Sequence, residues 1–482
     1  MVFSSSLFVF LFLPCVLFFY YIVFKNRLAR NILLLIMSLL FYAWGERIFV
    51  LILCVSILGN YFFALGVDAY RQNKNTAKLL IVFMIIFNIG ILYIFKYLGF
   101  TARTITFLTG QELTVPSIAL PIGISFFTFQ AISYVIDVYR GTVPVQKNLF
   151  LVALYISFFP QLVAGPIIRY NTIADQLEER KENFQDFSYG CTRFVIGLCK
   201  KLLIANQLAL LADDAFSMNA GGGELPVSLA WLGALAYTFQ IYFDFSGYSD
   251  MAIGLGRMFG FKYLENFNYP YIAKTITEFW RRWHISLGMW FRDYVYFPLG
   301  GSRDQSTLRL VRNLFIVWLL TGIWHGASVS FIAWGLLYFC FLTAEKLIAK
   351  RNQSPSIVTY ADQQSLPVKA ALHIYTLIVV VLGWVLFRAP EMQYAWDYLK
   401  SMFGLAGNAL INDLAVFQFN EYIVLLVIAT VFCTPVIKNL FEKTSRNLSG
   451  QIIFASLISI LFVFAVTYMV KETYNPFIYF NF

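Results

Sequence analysis

Three unbroken apolar runs constrain this chain more than any other feature in it. "LFVFLFLPCVLFFYYIVF" from Leu7, "FVLILCVSILGNYFFALGV" from Phe49 and "QIIFASLISILFVFAVTYMV" from Gln451 each approach or reach the roughly 20 residues a helix needs to cross hydrocarbon. Lipid offers the backbone no water, so a spanning segment must satisfy its own polar groups as a helix or within a closed barrel. Barrel strands alternate over about 10 residues, and continuous runs exclude that solution. Composition agrees: the chain is 59% hydrophobic and 13% charged, against about 45–50% and about 25% in soluble proteins. The expected fold class is an all-α polytopic membrane protein, with spans at 5–24, 31–44, 47–67, 79–98, 118–138, 190–210, 230–256, 313–341, 369–387, 421–437 and 451–470.

The first run has no basic segment before Leu7 and no small-residue cleavage site after it, so it reads as a retained helix and not a signal peptide. All six cysteines lie in or beside apolar spans, which argues against disulfides and against a cysteine metal site. The formal charge of +10 does not call for nucleic acid. It matches the excess of Lys and Arg in cytoplasmic loops, seen in "KNRLAR" (Lys25, Arg27, Arg30), in "DAYRQNKNTAK" and in the block 257–312, with nine Lys or Arg and four Asp or Glu. With these inside, the N-terminus and the "WGER" turn at Glu46 face out.

Two stretches depart from simple spans. "FFPQLVAGPIIRY" carries Pro160 and Pro166; proline removes a donor and breaks a helix, so the stretch is either a broken element shielded by protein or a complete crossing. Residues 257–312 interleave aromatic, basic and apolar side chains, the pattern of interfacial or re-entrant helices at headgroup level. The inverted halves of many transporters are not evident.

The chain has three histidines, and one, His325, sits in the apolar run "LLTGIWHGASVSFIAW". Read as one helix, it shares a face with Thr321, Gly322, Ser328 and Val329, and Gly322 with Gly326 forms a small-xxx-small pair that admits a close neighbour. With Trp324, these polar positions are candidates for a substrate tunnel. A polar group at such depth faces the bundle interior or a cavity. Its imidazole either moves protons between a hydroxyl and a leaving group or ties helices together by a hydrogen bond; metal ligation has no supporting spacing of ligands. His284, in "EFWRRWHISLGMW", either joins Arg281 and Arg282 in receiving an anionic donor or belongs to a snorkelling basic cluster. Asp244 and Asp250, in "YFDFSGYSDMAIGLG", are carboxylates that could orient an imidazole, bind a sugar hydroxyl or carry protons, while Asp250 could instead order its helix near the membrane edge.

These residues carry a resemblance. "EFWRRWHISLGMWFRDYVYFPLGGSR" at 278–303 and "TGIWHGAS" at 321–328 resemble the two signature segments of the membrane-bound O-acyltransferase family; the surroundings of Asp244, "QLVAGPIIRY" at 161–170 and the ending "YNPFIYFNF" are similar too. Within it, the resemblance is greatest to the membrane subunits that acetylate alginate and to their peptidoglycan-acetylating relatives. It implies one domain over 1–482, a ring-like bundle around a central funnel, and His325 and His284 as the catalytic histidines. It also implies a multi-pass protein of the bacterial inner membrane that uses acetyl-CoA as donor, with no tightly bound cofactor. Implied partners are membrane lipids, an extracytoplasmic polysaccharide and a periplasmic or secreted acyltransferase. Whether His325 is a base or an acyl carrier stays open. The alternatives are D-alanyl transfer to teichoic acid, and, outside enzymes, a transporter or an envelope scaffold.

Overall fold

The computed structural model describes residues 1–220, 224–301, 306–444, 447–471 and 474–478, and its regular structure is helical throughout. Ser302, Arg303 and the last four residues of the ending lie outside the described residues. Eight helical segments among the described residues are long and apolar enough to cross a membrane. The chain is a multi-pass, all-α membrane protein. It divides into two compact units, Met1–Leu198 with Tyr248–Leu264, and Cys199–Gly247 with Glu265–Phe482.

The first unit begins with α1 (Phe8–Val23), α2 (Arg27–Glu46) and α3 (Val50–Ala69). The sequence places a short span at 31–44, yet α2 is 20 residues long. Hydropathy stops at Arg30, but the helix continues to Asn26, whose side chain accepts from the Ala29 N–H at 2.7 Å. Helix α4 (Lys74–Thr109) is joined to α3 by a reciprocal amide pair, Asn60 to Asn88 at 3.0 Å and back at 2.8 Å. Two amides that satisfy one another remove the cost of burying either.

Helices α5 (Ile124–Arg140) and α6 (Leu149–Ser157) surround the proline-bearing stretch, which is a broken element. One turn, Phe159–Leu162, follows α6, and residues 163–168 are non-helical and buried. Side chains take over the work of the missing ladder. Gln130 and Gln161 both donate to the Tyr155 carbonyl (2.9 and 2.6 Å), the Tyr155 hydroxyl donates to the Ile168 carbonyl (3.0 Å), and the Phe159 N–H donates to Ser38 (3.1 Å). Irregular backbone is tolerated where protein shields it.

The unit has two distinct ends. A Cβ on Gly45 would stand 2.9 Å from the Met1 amine, which puts the N-terminus at the "WGER" turn. At the far end of α1, Tyr20 donates to Glu182 (2.5 Å) and to the Phe259 carbonyl (3.0 Å). Arg27, Arg30 and Arg180 converge there on Glu182 at 2.5, 3.3 and 3.7 Å. Burial raises the Glu182 pKa, but hydrogen bonds from Arg27 and Tyr20 and the Arg27 charge outweigh it and hold the carboxyl at about 2. The basic residues after the first helix and the start of the 257–312 block therefore share one end.

Helix α7 (Phe184–Asn219) and the 32-residue α8 (Val227–Met258) run from one unit into the other. In the second unit, two seven-residue helices, α9 (Ile276–Arg282) and α10 (Ile285–Phe291), precede α11 (Thr307–His325) and α12 (Val329–Arg351), then α13 (Leu366–Arg388), α14 (Asp413–Phe432) and α15 (Leu448–Lys471).

The expected single span 313–341 is two helices. Helix α11 ends at His325, Gly326 is extended (φ −167°, ψ 157°), and Ser328 caps α12 by accepting from the Ser330 N–H at 3.3 Å. Hydropathy reads through the reversal because Gly326, Ala327 and Ser328 are small and uncharged. A Cβ on Gly322 would stand 2.5 Å from the Phe331 carbonyl oxygen, and Gly335 lies against the Trp318 carbonyl. The small-residue face thus admits the next helix of the same chain.

Candidate active site

The short helices α9 and α10 are held from both sides. Glu345 of α12, 3% exposed, accepts from the Ile276 and Thr277 N–H groups (2.7 and 2.8 Å) and the Thr277 hydroxyl (2.6 Å). A carboxylate there satisfies orphan donors and opposes the positive end of the helix. Thr275 caps the same end by accepting from the Glu278 N–H at 3.0 Å.

Between the two helices, His284 adopts a left-handed conformation (φ 44°, ψ 55°), uncommon for a residue with a Cβ. Asn266 holds the turn: its carbonyl accepts from the Ile285 N–H (2.9 Å), and its side-chain oxygen accepts from the Ser286 N–H (3.1 Å) and hydroxyl (2.9 Å). The turn directs the His284 ring inward, where it is 2% exposed, 4.7 Å from Phe245 and 6.3 Å from Trp324. Burial pushes its pKa down to about 3, so the imidazole is neutral at pH 7.

His325, 4% exposed, lies 4.8 Å from Trp324, 4.9 Å from Trp334 and 5.1 Å from Phe387. The structure therefore brings both signature histidines against one indole, from segments 41 residues apart in the chain.

Other expected residues are placed differently. His284 does not join Arg281 and Arg282 on one helical face, because the helix breaks at Trp283. Arg281 is exposed, while Arg282 pairs with Glu278 at 2.8 Å and donates to the Asn268 carbonyl at 3.1 Å. Thr321 and Ser328 do not flank His325 on one helix. The Thr321 hydroxyl donates to the Val317 carbonyl (2.7 Å) and the Ser328 hydroxyl to the Pro390 carbonyl (3.0 Å).

Asp244 forms a buried pair with Lys201 at 2.6 Å and accepts from the Ile478 N–H at 2.9 Å. Lys201 also donates to the Pro476 carbonyl, so the pair clasps the C-terminal peptide. Asp250, in the other unit, pairs with Arg193 at 2.6 Å. Sequence reasoning passed over Lys201, Asn266 and Glu345. Lys201 is a charge inside the expected span 190–210, a signal that was there to be read; Glu345, beyond the expected span 313–341, and Asn266, in a polar loop, give none. Among the described residues no group of three or more His, Cys, Asp or Glu could hold a metal ion.

Two buried imidazoles at one indole, at His284 and His325, are suited to taking a proton from a hydroxyl and returning it to a leaving group. The fold that carries these two histidines is that of a multi-pass helical membrane protein. Residues 143–387 match the membrane-bound O-acyltransferase family, MBOAT, and the chain belongs to that family. It is 40% identical over 506 aligned residues to the probable alginate O-acetylase AlgI of Pseudomonas putida, covering all of both chains. It is 45% identical over 408 residues to the protein of the same name from Pseudomonas aeruginosa (84% of this chain, 75% of that one). It is also 33% identical over 533 residues to the peptidoglycan O-acetyltransferase of Helicobacter pylori (100% and 98%).

Proposed function

We propose that this protein transfers acetyl groups from a cytoplasmic thioester, acetyl-CoA, for O-acetylation of an extracytoplasmic polysaccharide such as alginate or peptidoglycan, in the bacterial inner membrane. The observation that carries the reading is the meeting of His284 and His325 at Trp324, and the names of the full-length relatives support the acetyl group and the polymer. In this reading His325 is the general base and exposed Arg281 meets the anionic donor. The ring-like bundle with a central funnel, and a periplasmic or secreted acyltransferase that completes transfer, belong to the same proposal.

The test is mild alkaline release of labelled acetate from extracellular polysaccharide in cells with and without the chain. Label that depends on the chain is the expected result. Label absent from polysaccharide, or D-alanine released from teichoic acid in its place, would overturn the proposal.

A further inference from the structure

Beside His325, two buried donors lack a hydrogen-bond acceptor. Trp334 and Tyr338 are each 0% exposed, and neither the Trp334 indole nitrogen nor the Tyr338 hydroxyl has a hydrogen-bond partner among the described residues; the Trp280 indole nitrogen shares that condition. Buried polar groups are costly to leave unpaired, and the few in a native fold call for an explanation. These three belong to one cluster: Trp280 lies 5.5 Å from Trp334 and 4.8 Å from Tyr338, and Trp334 lies 5.3 Å from Tyr338 and 4.9 Å from His325.

The cluster has a direction. Trp334 and Tyr338 are one turn apart on α12 and share a face. Further along α12, Lys350 bonds Thr307 at the start of α11 (2.9 Å), so the two residues form a ladder between that basic end and His325. A Cβ on Gly383 would stand 2.6 Å from the Tyr338 hydroxyl, so only a residue without a side chain leaves this hydroxyl its place.

An indole nitrogen only donates, so the ladder recognises an acceptor oxygen. Aromatic faces attract cations, but here the rings meet edge to face at 83°, 86° and 76°, so neighbouring edges cover faces that an ammonium would need. We propose that the Trp334 indole N–H and the Tyr338 hydroxyl donate to the carbonyl oxygen of the transferred acyl group, and that they favour an uncharged acyl over an aminoacyl group. This assignment rests on the acyl-transfer reading above.

In the step they serve, the acceptor hydroxyl oxygen bonds to the thioester carbonyl carbon, the C=O π pair moves onto oxygen, and His325 takes the hydroxyl proton. The two donors stabilise that oxyanion. On collapse the C=O re-forms, the C–S bond breaks, and the thiolate takes the proton from the imidazolium. Donors aimed at developing charge are among the larger contributions to catalysis.

Tyr338→Phe removes the hydroxyl and keeps the ring. In the full chain, labelled acetate in extracellular polysaccharide, per unit of membrane-inserted protein, should fall by about 10²-fold. The midpoint of thermal unfolding in detergent should hold or rise, because an unpaired buried hydroxyl has been deleted. Trp334→Phe should lose a similar factor, with a lower midpoint from lost packing. Transfer by Tyr338→Phe within two-fold of the unsubstituted protein would overturn the assignment, as would a loss that only tracks loss of folded protein. If the unsubstituted chain acetylates nothing, the proposed function falls and takes this assignment with it; normal acetylation with an indifferent Tyr338→Phe removes this assignment alone.

Discussion

The His284 ring stands 6.3 Å from the indole of Trp324, the residue immediately before His325. The contact depends on the left-handed turn at His284, held by Asn266, and on the end of α11 at His325. One histidine reaches the indole from a loop and the other by adjacency, so each is testable on its own.

His325→Ala should leave the chain inserted in the membrane and lower polymer acylation by about 10²- to 10⁴-fold, the usual worth of positioned proton transfer. Labelled acetate in extracellular polysaccharide, normalised to protein level, is the measurement. Near-normal incorporation would remove His325 from the chemistry.

Acid should destabilise the protein through His284. Its folded pKa lies at about 3, below the ordinary value of about 6.5, so between those values the unfolded chain binds the extra proton. Stability from this group is complete above about pH 6.5 and declines as pH falls toward 3. Thermal midpoints between pH 7.5 and 4.5 should drop less steeply for His284→Asn than for the unsubstituted protein. Parallel curves would contradict the burial of a neutral imidazole.

Asp244→Asn should loosen the C-terminal peptide. It leaves Lys201 charged and unmatched, and breaking a buried pair costs about 3–5 kcal/mol. Limited proteolysis of a C-terminal tag should accelerate, while the double variant Lys201→Met with Asp244→Leu should regain thermal stability without regaining protection of the tag. An unchanged cleavage rate in Asp244→Asn would show that the pair does not hold the peptide.

The two ends of the first unit should label from opposite sides of the membrane. Single cysteines replacing Arg47, beside the outward turn, and Lys181, beside the Arg27–Glu182 cluster, are exposed positions. In a background without the six native cysteines, an impermeant thiol reagent applied to cells with an opened outer membrane should modify position 47 at once. Position 181 should react only after the inner membrane is permeabilised. The reverse order would invert the orientation set by positive-inside bias.

The sequence by itself determined the membrane class, because runs of about 20 apolar residues have one helical solution in lipid. It also marked His325, since a polar ring inside an apolar run stands out without coordinates, and His284 through its place among the interleaved aromatic and basic residues of 257–312. Only the tertiary structure decided what each charge is for. Glu345 caps α9, Lys201 clasps the tail with Asp244, and Arg282 is held by Glu278. Hydropathy records how apolar a residue's chain neighbours are, and carries no record of partners 14 to 275 residues away, such as Asn268 for Arg282 or Pro476 for Lys201. It likewise reads Gly326, Ala327 and Ser328 as more of the same span, whereas the chain reverses there. Small neutral residues cost little in an apolar run, and only the packing of Gly322 against the Phe331 backbone selects the turn over a continuous helix.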